Sequence, residues 1–172
     1  ADGADLTSVT FSNGVPLNNG QLTVPAGVTS FTITVDTNND TIDEPNETVI
    51  ITVGGQAATG TIIDNDDTPT VTSVEVTNTG DQVVEGGNLN YTVTLSNGSS
   101  TATTFPYTLG GTADGADLTS VTFSDGVTLN NGQLTVPAGV TSFTITVDTN
   151  NDTIDEPNET VIITVGGQAA TG

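Results

Sequence analysis

The stretch V-T-S-F-T-I-T-V-D-T-N-N-D-T-I-D-E-P-N-E-T-V-I-I-T-V, Val28 to Val53, holds an acidic segment between two apolar runs. In the first run, Phe31, Ile33 and Val35 alternate with Ser and Thr residues. The second run alternates in the same way from Glu47 to Val53. A period of two is typical of strands with one buried and one solvated face. The stretch therefore predicts two strands joined by an acidic loop, and it returns unchanged as Val140 to Val165.

This return is part of a longer internal repeat. Residues 1–60 align with 113–172 without a gap at an offset of 112 residues, and only Asn13/Asp125 and Pro16/Thr128 differ. A unit of about 112 residues has the size of a β-sandwich domain and is too long for a solenoid coil. We predict that residues 1–66 are the C-terminal part of one repeat. Residues 67–172 are then the next repeat, nearly complete but lacking its last strand.

Further strand patterns fill the rest of the repeat. Asn88 to Ser96 alternates, and shorter runs are Gln21–Val24, Thr61–Ile63, Thr70–Thr77 and Thr103–Leu109. Asn-Gly and Gly-Gly pairs between the runs favour tight turns. About seven short strands in 112 residues predict an all-β, immunoglobulin-like, antiparallel β-sandwich. A closed barrel is the alternative.

The charge of the chain restricts its partners. The formal net charge is −21, with no Lys, Arg, His or Cys. Nucleic acid is excluded as a partner because no side chain can neutralise phosphates. No apolar run is long enough for a transmembrane helix, so we expect no direct membrane insertion. Crowded carboxylates without a basic neighbour gain most from a hard divalent cation such as Ca2+.

The acidic loop has the spacing of a cation-binding segment. Its candidate ligands fall at positions 1, 3, 5, 7, 9 and 12 and are Asp36, Asn38, Asp40, Ile42 (through its carbonyl), Glu44 and Glu47. The second copy supplies Asp148, Asn150, Asp152, Ile154, Glu156 and Glu159. This is EF-hand spacing, but Thr41 replaces the required Gly and strands flank the loop, which excludes an EF-hand. A solvated loop without a ligand is the alternative.

A second acidic cluster follows the next strand. It consists of Asp64-Asn65-Asp66-Asp67. Antiparallel pairing of Glu47–Val53 with Thr61–Ile63 would return the chain to the end of the sandwich that carries the acidic loop. We therefore expect Asp64, Asp66 and Asp67 to contribute to the same ion site.

Four motifs, taken together, resemble the Calx-beta domain. They are D-x-I-x-E-x-x-E at Asp40–Glu47, E-G-G at Glu85–Gly87, G-T-A-x-G-A-D-L at Gly111–Leu118 and G-T-I-I-D-N-D-D at Gly60–Asp67. This version is similar to the tandem extender repeats of giant bacterial RTX-type surface adhesins. The resemblance implies calcium at one end of the sandwich, with Glu85, Asp117 and its counterpart Asp5 as additional ligands. The acidic loop and the Asp64–Asp67 run would supply the others.

The expected function is structural. The sequence predicts a calcium-stabilised extender repeat of an extracellular bacterial adhesin or surface fibre, with neighbouring repeats or like subunits as partners. Any glycan or cell-surface target would be bound through other regions. An enzyme is not expected, since no His, Lys or Cys could activate the many Ser and Thr residues. The alternatives are a filament subunit completed by strand exchange and a calcium-dependent carbohydrate-binding module.

Overall fold

The computed structural model describes residues 4–172, which form two compact units. The first comprises residues up to 40 together with 45–64, and the second comprises 41–44 and 65–172. The predicted domains, 1–66 and 67–172, stay a prediction, and residues 1–3 lie outside the described part. No helix in the described part has the length and apolar character needed to cross a membrane.

The first unit contains three separate antiparallel strand pairs. Its strands are β1 (Leu6–Phe11), β2 (Leu17–Asn18), β3 (Gln21–Leu22), β4 (Ile33–Thr37), β6 (Glu47–Val53) and β7 (Gln56–Ile62). Within this described unit, β1 pairs with β4, β2 with β3, and β6 with β7. Each pair is a hairpin or a two-stranded ribbon, an arrangement with little stability of its own.

The second unit consists mainly of two larger sheets. Its strands are β5 (Ile42–Asp43), β8 (Val71–Val76), β9 (Asn88–Leu95), β10 (Gly98–Ser99), β11 (Thr103–Gly111), β12 (Leu118–Phe123), β13 (Thr128–Asn130), β14 (Gln133–Val136), β15 (Ser142–Thr149), β16 (Val161–Val165) and β17 (Gln168–Thr171), with a short 3₁₀ helix at Thr79–Asp81. One sheet has the order β12-β15-β9-β8 and the other β13-β14-β11-β16-β17. Both are antiparallel, whereas β5 and β10 form a short parallel pair. Two open sheets replace the closed barrel that was the alternative.

Alternating residues of both sheets form one core in the second unit. Tyr91 on β9, Ile145 on β15 and Ile163 on β16 are each 0% exposed. The Tyr91 hydroxyl donates a hydrogen bond of 2.8 Å to the Val161 carbonyl, so its buried polar atom is satisfied. The period of two in the sequence thus selects the buried face correctly, and the all-β prediction is confirmed.

The same sequence packs differently in the first unit. The first apolar run, with Phe31, Ile33 and Val35, was predicted as one strand, but β4 begins only at Ile33. Its copy β15 begins at Ser142 because β9 pairs with it from Ser142 to Asp148. Strand length therefore depends on a neighbouring strand as well as on the alternating pattern.

Other strand predictions differ at their bounds. Gln21–Val24 is shortened to β3, and the predicted run Thr61–Ile63 belongs to the longer β7 only as far as Ile62. Strands β1 and β12 were not predicted. Their sequence L-T-S-V-T-F alternates imperfectly, and each contains a register shift where it pairs with β4 or β15.

Candidate functional site

A cavity of about 510 Å³ in the second unit brings most of the predicted ligands together. Six of the eight candidates from this repeat line its wall, namely Glu85, Asp117, Asn150, Asp152, Glu156 and Glu159. They come from three separate loops, after the 3₁₀ helix, before β12 and after β15. The cavity thus gathers carboxylates that are up to 74 positions apart in the chain.

The E-G-G motif ties the first of these loops to the end of β15. The Gly86 amide donates to the Asn150 carbonyl at 3.0 Å, and the Thr149 amide donates to the Gly87 carbonyl at 3.0 Å. Gly86 has φ of 78°, and a Cβ there would lie 2.9 Å from the Cβ of Asn151. Only glycine fits this close approach, which holds Glu85 at the cavity wall.

The loop before β12 is fixed to the same point. The Asn150 amide donates to the Asp117 carbonyl at 2.7 Å, and its side-chain amide donates to the Ala116 carbonyl at 3.0 Å. One carboxylate oxygen of Asp117 also accepts a hydrogen bond of 2.6 Å from the Asp114 amide. Asn150 therefore connects the loops through hydrogen bonds. This structural role does not require its side chain to contact an ion.

The third loop carries the remaining carboxylates. Asp152 accepts a hydrogen bond of 2.7 Å from the Ile154 amide, which closes a local turn. Partial desolvation is the largest cause that raises the pKa of Glu156, and the negative charges of Asp117 and Asp152 raise it further. For Glu159, desolvation and then a side-chain hydrogen bond with Asp117 raise the pKa. Because the chain has no basic side chain, no cationic group of its own can neutralise these carboxylates.

Two candidates of this repeat do not line the cavity. The Asp148 carboxylate accepts a short hydrogen bond from the Ser120 hydroxyl. The register shift between Leu118 and Ser120 on β12 places Ser120 opposite Asp148. Ile154 is 63% exposed.

The partial copy retains two hydrogen bonds that are also present beside the cavity of the second unit. The Asn38 amide donates to the Asp5 carbonyl at 2.8 Å, as in the second unit. Asp36 accepts a hydrogen bond of 2.5 Å from Ser8, so both copies engage this aspartate in the same way. Glu47, however, lies on β6 opposite Ile62, whereas its counterpart Glu159 lies outside any strand.

The other candidates of the partial copy are divided between the units. Asp40 and Asp64 belong to the first unit, and the Asp64 amide donates a hydrogen bond of 2.9 Å to the side-chain oxygen of Asn46. Ile42 and Glu44 belong to the second unit, where Ile42 lies on β5. Asp66 and Asp67 also belong to the second unit, but they do not line its cavity. The expected role of the Asp64–Asp67 run stays a prediction.

Two acidic residues were missed. Asp114, at the variable position of G-T-A-x-G-A-D-L, accepts a hydrogen bond of 2.6 Å from the Ala116 amide and adds to the field on Glu156. Its place inside the motif was a usable signal. Asp43 accepts a hydrogen bond of 2.9 Å from Ser99, which is only 4% exposed. No pattern in the sequence relates Asp43 to Ser99, which lies 56 positions away.

The donors fit calcium in chemistry and charge. Five carboxylates line the cavity, and the chain offers no His or Cys that would favour a softer metal. Within residues 4–172, no three acidic side chains are already close enough to hold an ion. Like charges repel one another when no cation lies between them.

The raised pKa values of Glu156 and Glu159 predict a pH effect of definite sign. The folded second unit holds protons on these groups more tightly than the unfolded chain does. In calcium-free buffer, its stability should therefore rise as the pH falls from neutral towards the ordinary glutamate pKa of 4.5. The measurement is the denaturant midpoint at each pH. A midpoint that stays constant or decreases would contradict the prediction, and Glu156→Gln with Glu159→Gln should reduce the slope.

The fold and the cavity define a β-sandwich repeat with a carboxylate-lined cavity beside its loop ends. The family model of the Calx-beta domain matches residues 16–66 and 108–171, and the chain belongs to this family. The predicted immunoglobulin-like sandwich of Calx-beta type is thereby confirmed. Among solved structures, domains 4 and 5 of the S-layer protein SbsC are similar at 20% identity and a TM-score of 0.35, covering 98% of this chain and 74% of that one. No curated protein matches the sequence.

Proposed function

We propose that this chain is a calcium-binding structural repeat of an extracellular surface protein. The observation that carries the proposal is the cavity with five carboxylates and no basic side chain. Glu85, Asp117, Asp152, Glu156 and Glu159 would hold the ion. A bound calcium ion supplies positive charge that converts repulsion among these groups into attraction.

The free energy of calcium binding at this cavity would add to the free energy of folding. The cavity wall consists of three loops that are joined by backbone hydrogen bonds to Asn150, Thr149 and Gly87. An ion coordinated by carboxylates from all three loops would cross-link them, and the folded state would gain stability that the unfolded chain lacks. The role of the repeat is thus to remain folded and stiff outside the cell, where calcium is plentiful.

The finer assignment rests on the motifs and on near-identity of the two copies. We propose an extender of a bacterial adhesin of the RTX type or of a surface fibre, with neighbouring repeats as partners. Two copies that differ at two of 60 aligned positions are typical of interchangeable spacers rather than of separate recognition sites. The acidic run Asp64–Asp67 would bind further calcium beside the sandwich.

Calorimetric titration of calcium into the complete chain tests the proposal. We expect saturable binding with a Kd of about 10⁻⁴–10⁻³ M, the range of extracellular calcium modules, and weaker binding of magnesium. Glu156→Gln with Glu159→Gln should remove the tightest binding event. Heat that never saturates, or equal responses to both metals, would contradict a dedicated calcium site and would indicate only a diffuse counterion atmosphere.

A further inference from the structure

We propose that strand β10 is a docking site for an extended segment that carries an aspartate, and that Ser99 makes this site selective for Thr41–Glu44. Strand β10 and Thr41–Glu44 both belong to the second unit. The docked residues come from the first acidic loop, which gives that loop a role other than ion binding. Calcium in the cavity is not required for this docking.

Strand β10 is held by hydrogen bonds on both of its edges. The Ser99 carbonyl accepts a hydrogen bond of 2.8 Å from the Gly139 amide, in the turn before β15. Strand β5 pairs with β10 in parallel and places Asp43 opposite Ser99. Both residues of β10 are buried, and Ser99 is only 4% exposed. The pairing is thus a short case of strand addition to a strand that the second unit already fixes.

Donors of β10 and of the residue after it converge on Asp43. The Ser100 amide donates to the Asp43 carbonyl at 2.9 Å, and the Ser99 hydroxyl donates to the Asp43 carboxylate at 2.9 Å. The Thr101 amide donates to the Ser99 hydroxyl oxygen at 3.3 Å, which leaves the single hydroxyl proton of Ser99 for the carboxylate. The site therefore recognises both the backbone and the side chain of one residue.

The buried hydroxyl of Ser99 determines which residue lies opposite it. A buried hydroxyl without an acceptor destabilises the folded state. A slip of β5 by one residue would bring Ile42 or Glu44 opposite Ser99. Isoleucine has no acceptor in its side chain, and the additional methylene of glutamate places its carboxylate farther from the strand. Asp43 therefore fixes the register of the pair.

The local sequence around β10 suits an anionic residue. The chain carries 21 acidic residues and no basic one, yet residues 86–113 contain no Asp or Glu. Ser and Thr residues surround β10 in the sequence and supply donors without negative charge. The partner that fits this site is an extended segment with a single short carboxylate opposite Ser99.

The second copy of the docked segment provides an internal comparison. Thr153–Glu156 has the same sequence as Thr41–Glu44 but forms no strand. Asp155 is exposed, whereas Asp43 is half-buried. The sequence T-I-D-E is therefore a strand only where it lies on β10, so the site and not the intrinsic preference of these residues determines the conformation.

Substitutions of the pair Asp43 and Ser99 test the proposal in the complete chain, in buffer with a calcium chelator. Asp43→Ala should lower the melting midpoint by about 4 °C or more, because a hydrogen bond to a charged group is lost. Tyrosine emission records this midpoint, since both tyrosines lie in the core of the second unit. Ser99→Ala should also lower it, and the double variant should lose less than the sum of the two single losses.

Hydrogen exchange at the Ser100 amide measures the docking directly, because this amide donates to the Asp43 carbonyl. The amide should be protected in the unmodified chain and should exchange at least about tenfold faster in Asp43→Ala. Asp43→Asn retains a side-chain oxygen that accepts from Ser99, so this variant should keep most of the protection.

Asp155→Ala is the matched control, because it removes the same residue from the same sequence where no strand forms. It should lower neither the tyrosine midpoint nor the protection of the Ser100 amide. The proposal is overturned by an unprotected Ser100 amide in the unmodified chain, by equal losses in Asp43→Ala and Asp155→Ala, or by additive losses in the double variant. A loss of protection in Asp43→Asn as large as that in Asp43→Ala would also overturn it.

Discussion

Removing calcium should lower the melting temperature of the second unit by about 10 °C or more. With a Kd near 10⁻⁴ M, about 10 mM calcium is a hundredfold excess and stabilises the folded state by about 2.7 kcal/mol. In a domain of roughly 100 residues, each kcal/mol corresponds to about 4–8 °C. The effect is large because five carboxylates that repel one another would be cross-linked by the same ion.

The composition of the chain provides a selective readout of this transition. The chain has two tyrosines and no tryptophan, and both Tyr91 and Tyr107 lie in the core of the second unit. Tyrosine emission during heating therefore reports on the second unit alone. A melting curve that is the same with and without chelator would contradict calcium stabilisation.

Glu156→Gln combined with Glu159→Gln should remove most of the calcium response. In calcium-free buffer, this variant should melt at or above the temperature of the unmodified chain, because two mutually repelling carboxylates are gone. The raised pKa values of both groups give the sign of this second effect. A variant that was simply misfolded would instead melt lower under both conditions.

A matched control removes two charges outside the cavity. Glu75→Gln with Asp125→Asn changes two exposed acidic residues, and the other copy of the repeat naturally carries Asn13 at the second position. This control should retain the full calcium response. Equal losses in both variants would show that calcium acts by screening the total charge, and the proposed ligands would then be wrong.

The sequence was most informative where local pattern and tertiary structure agree. Alternation in Asn88–Ser96 identified the buried residues of β9, and every second residue from Leu89 to Leu95 lies in the core. The grouping of Glu85, Asp117 and Glu156 came from the family motifs, because no local rule relates loops so far apart. The structure places them on one cavity, while their role as ligands stays a prediction.

Pairing between strands explains most of what the sequence could not reveal. Asp148 occupies the first position of the predicted ion-binding segment, but it lies on β15, and a register shift in β12 brings Ser120 to its carboxylate. Residues 41–44 belong to the second unit through the pairing of β5 with β10, whereas the identical residues 153–156 form no strand. Identical sequences therefore differ in structure because their surroundings differ.

Ile145→Ala and Ile33→Ala should differ strongly in cost although both residues lie in the same sequence. Ile145 is 0% exposed between β9 and β12 partners, so its truncation leaves a cavity and should cost about 2–5 kcal/mol. Ile33 is only half-buried on the two-stranded ribbon of β1 and β4. Its truncation removes fewer contacts and should cost less than half as much, because the loss scales with the apolar area that was buried.

Calorimetry of both variants, with tyrosine emission recorded in parallel, measures this difference. Ile145→Ala should shift the tyrosine-detected transition to lower temperature, and Ile33→Ala should leave that transition unchanged with little effect on the total unfolding heat. Equal costs would contradict the prediction and would mean that Ile33 is packed as fully in the first unit as Ile145 is in the second.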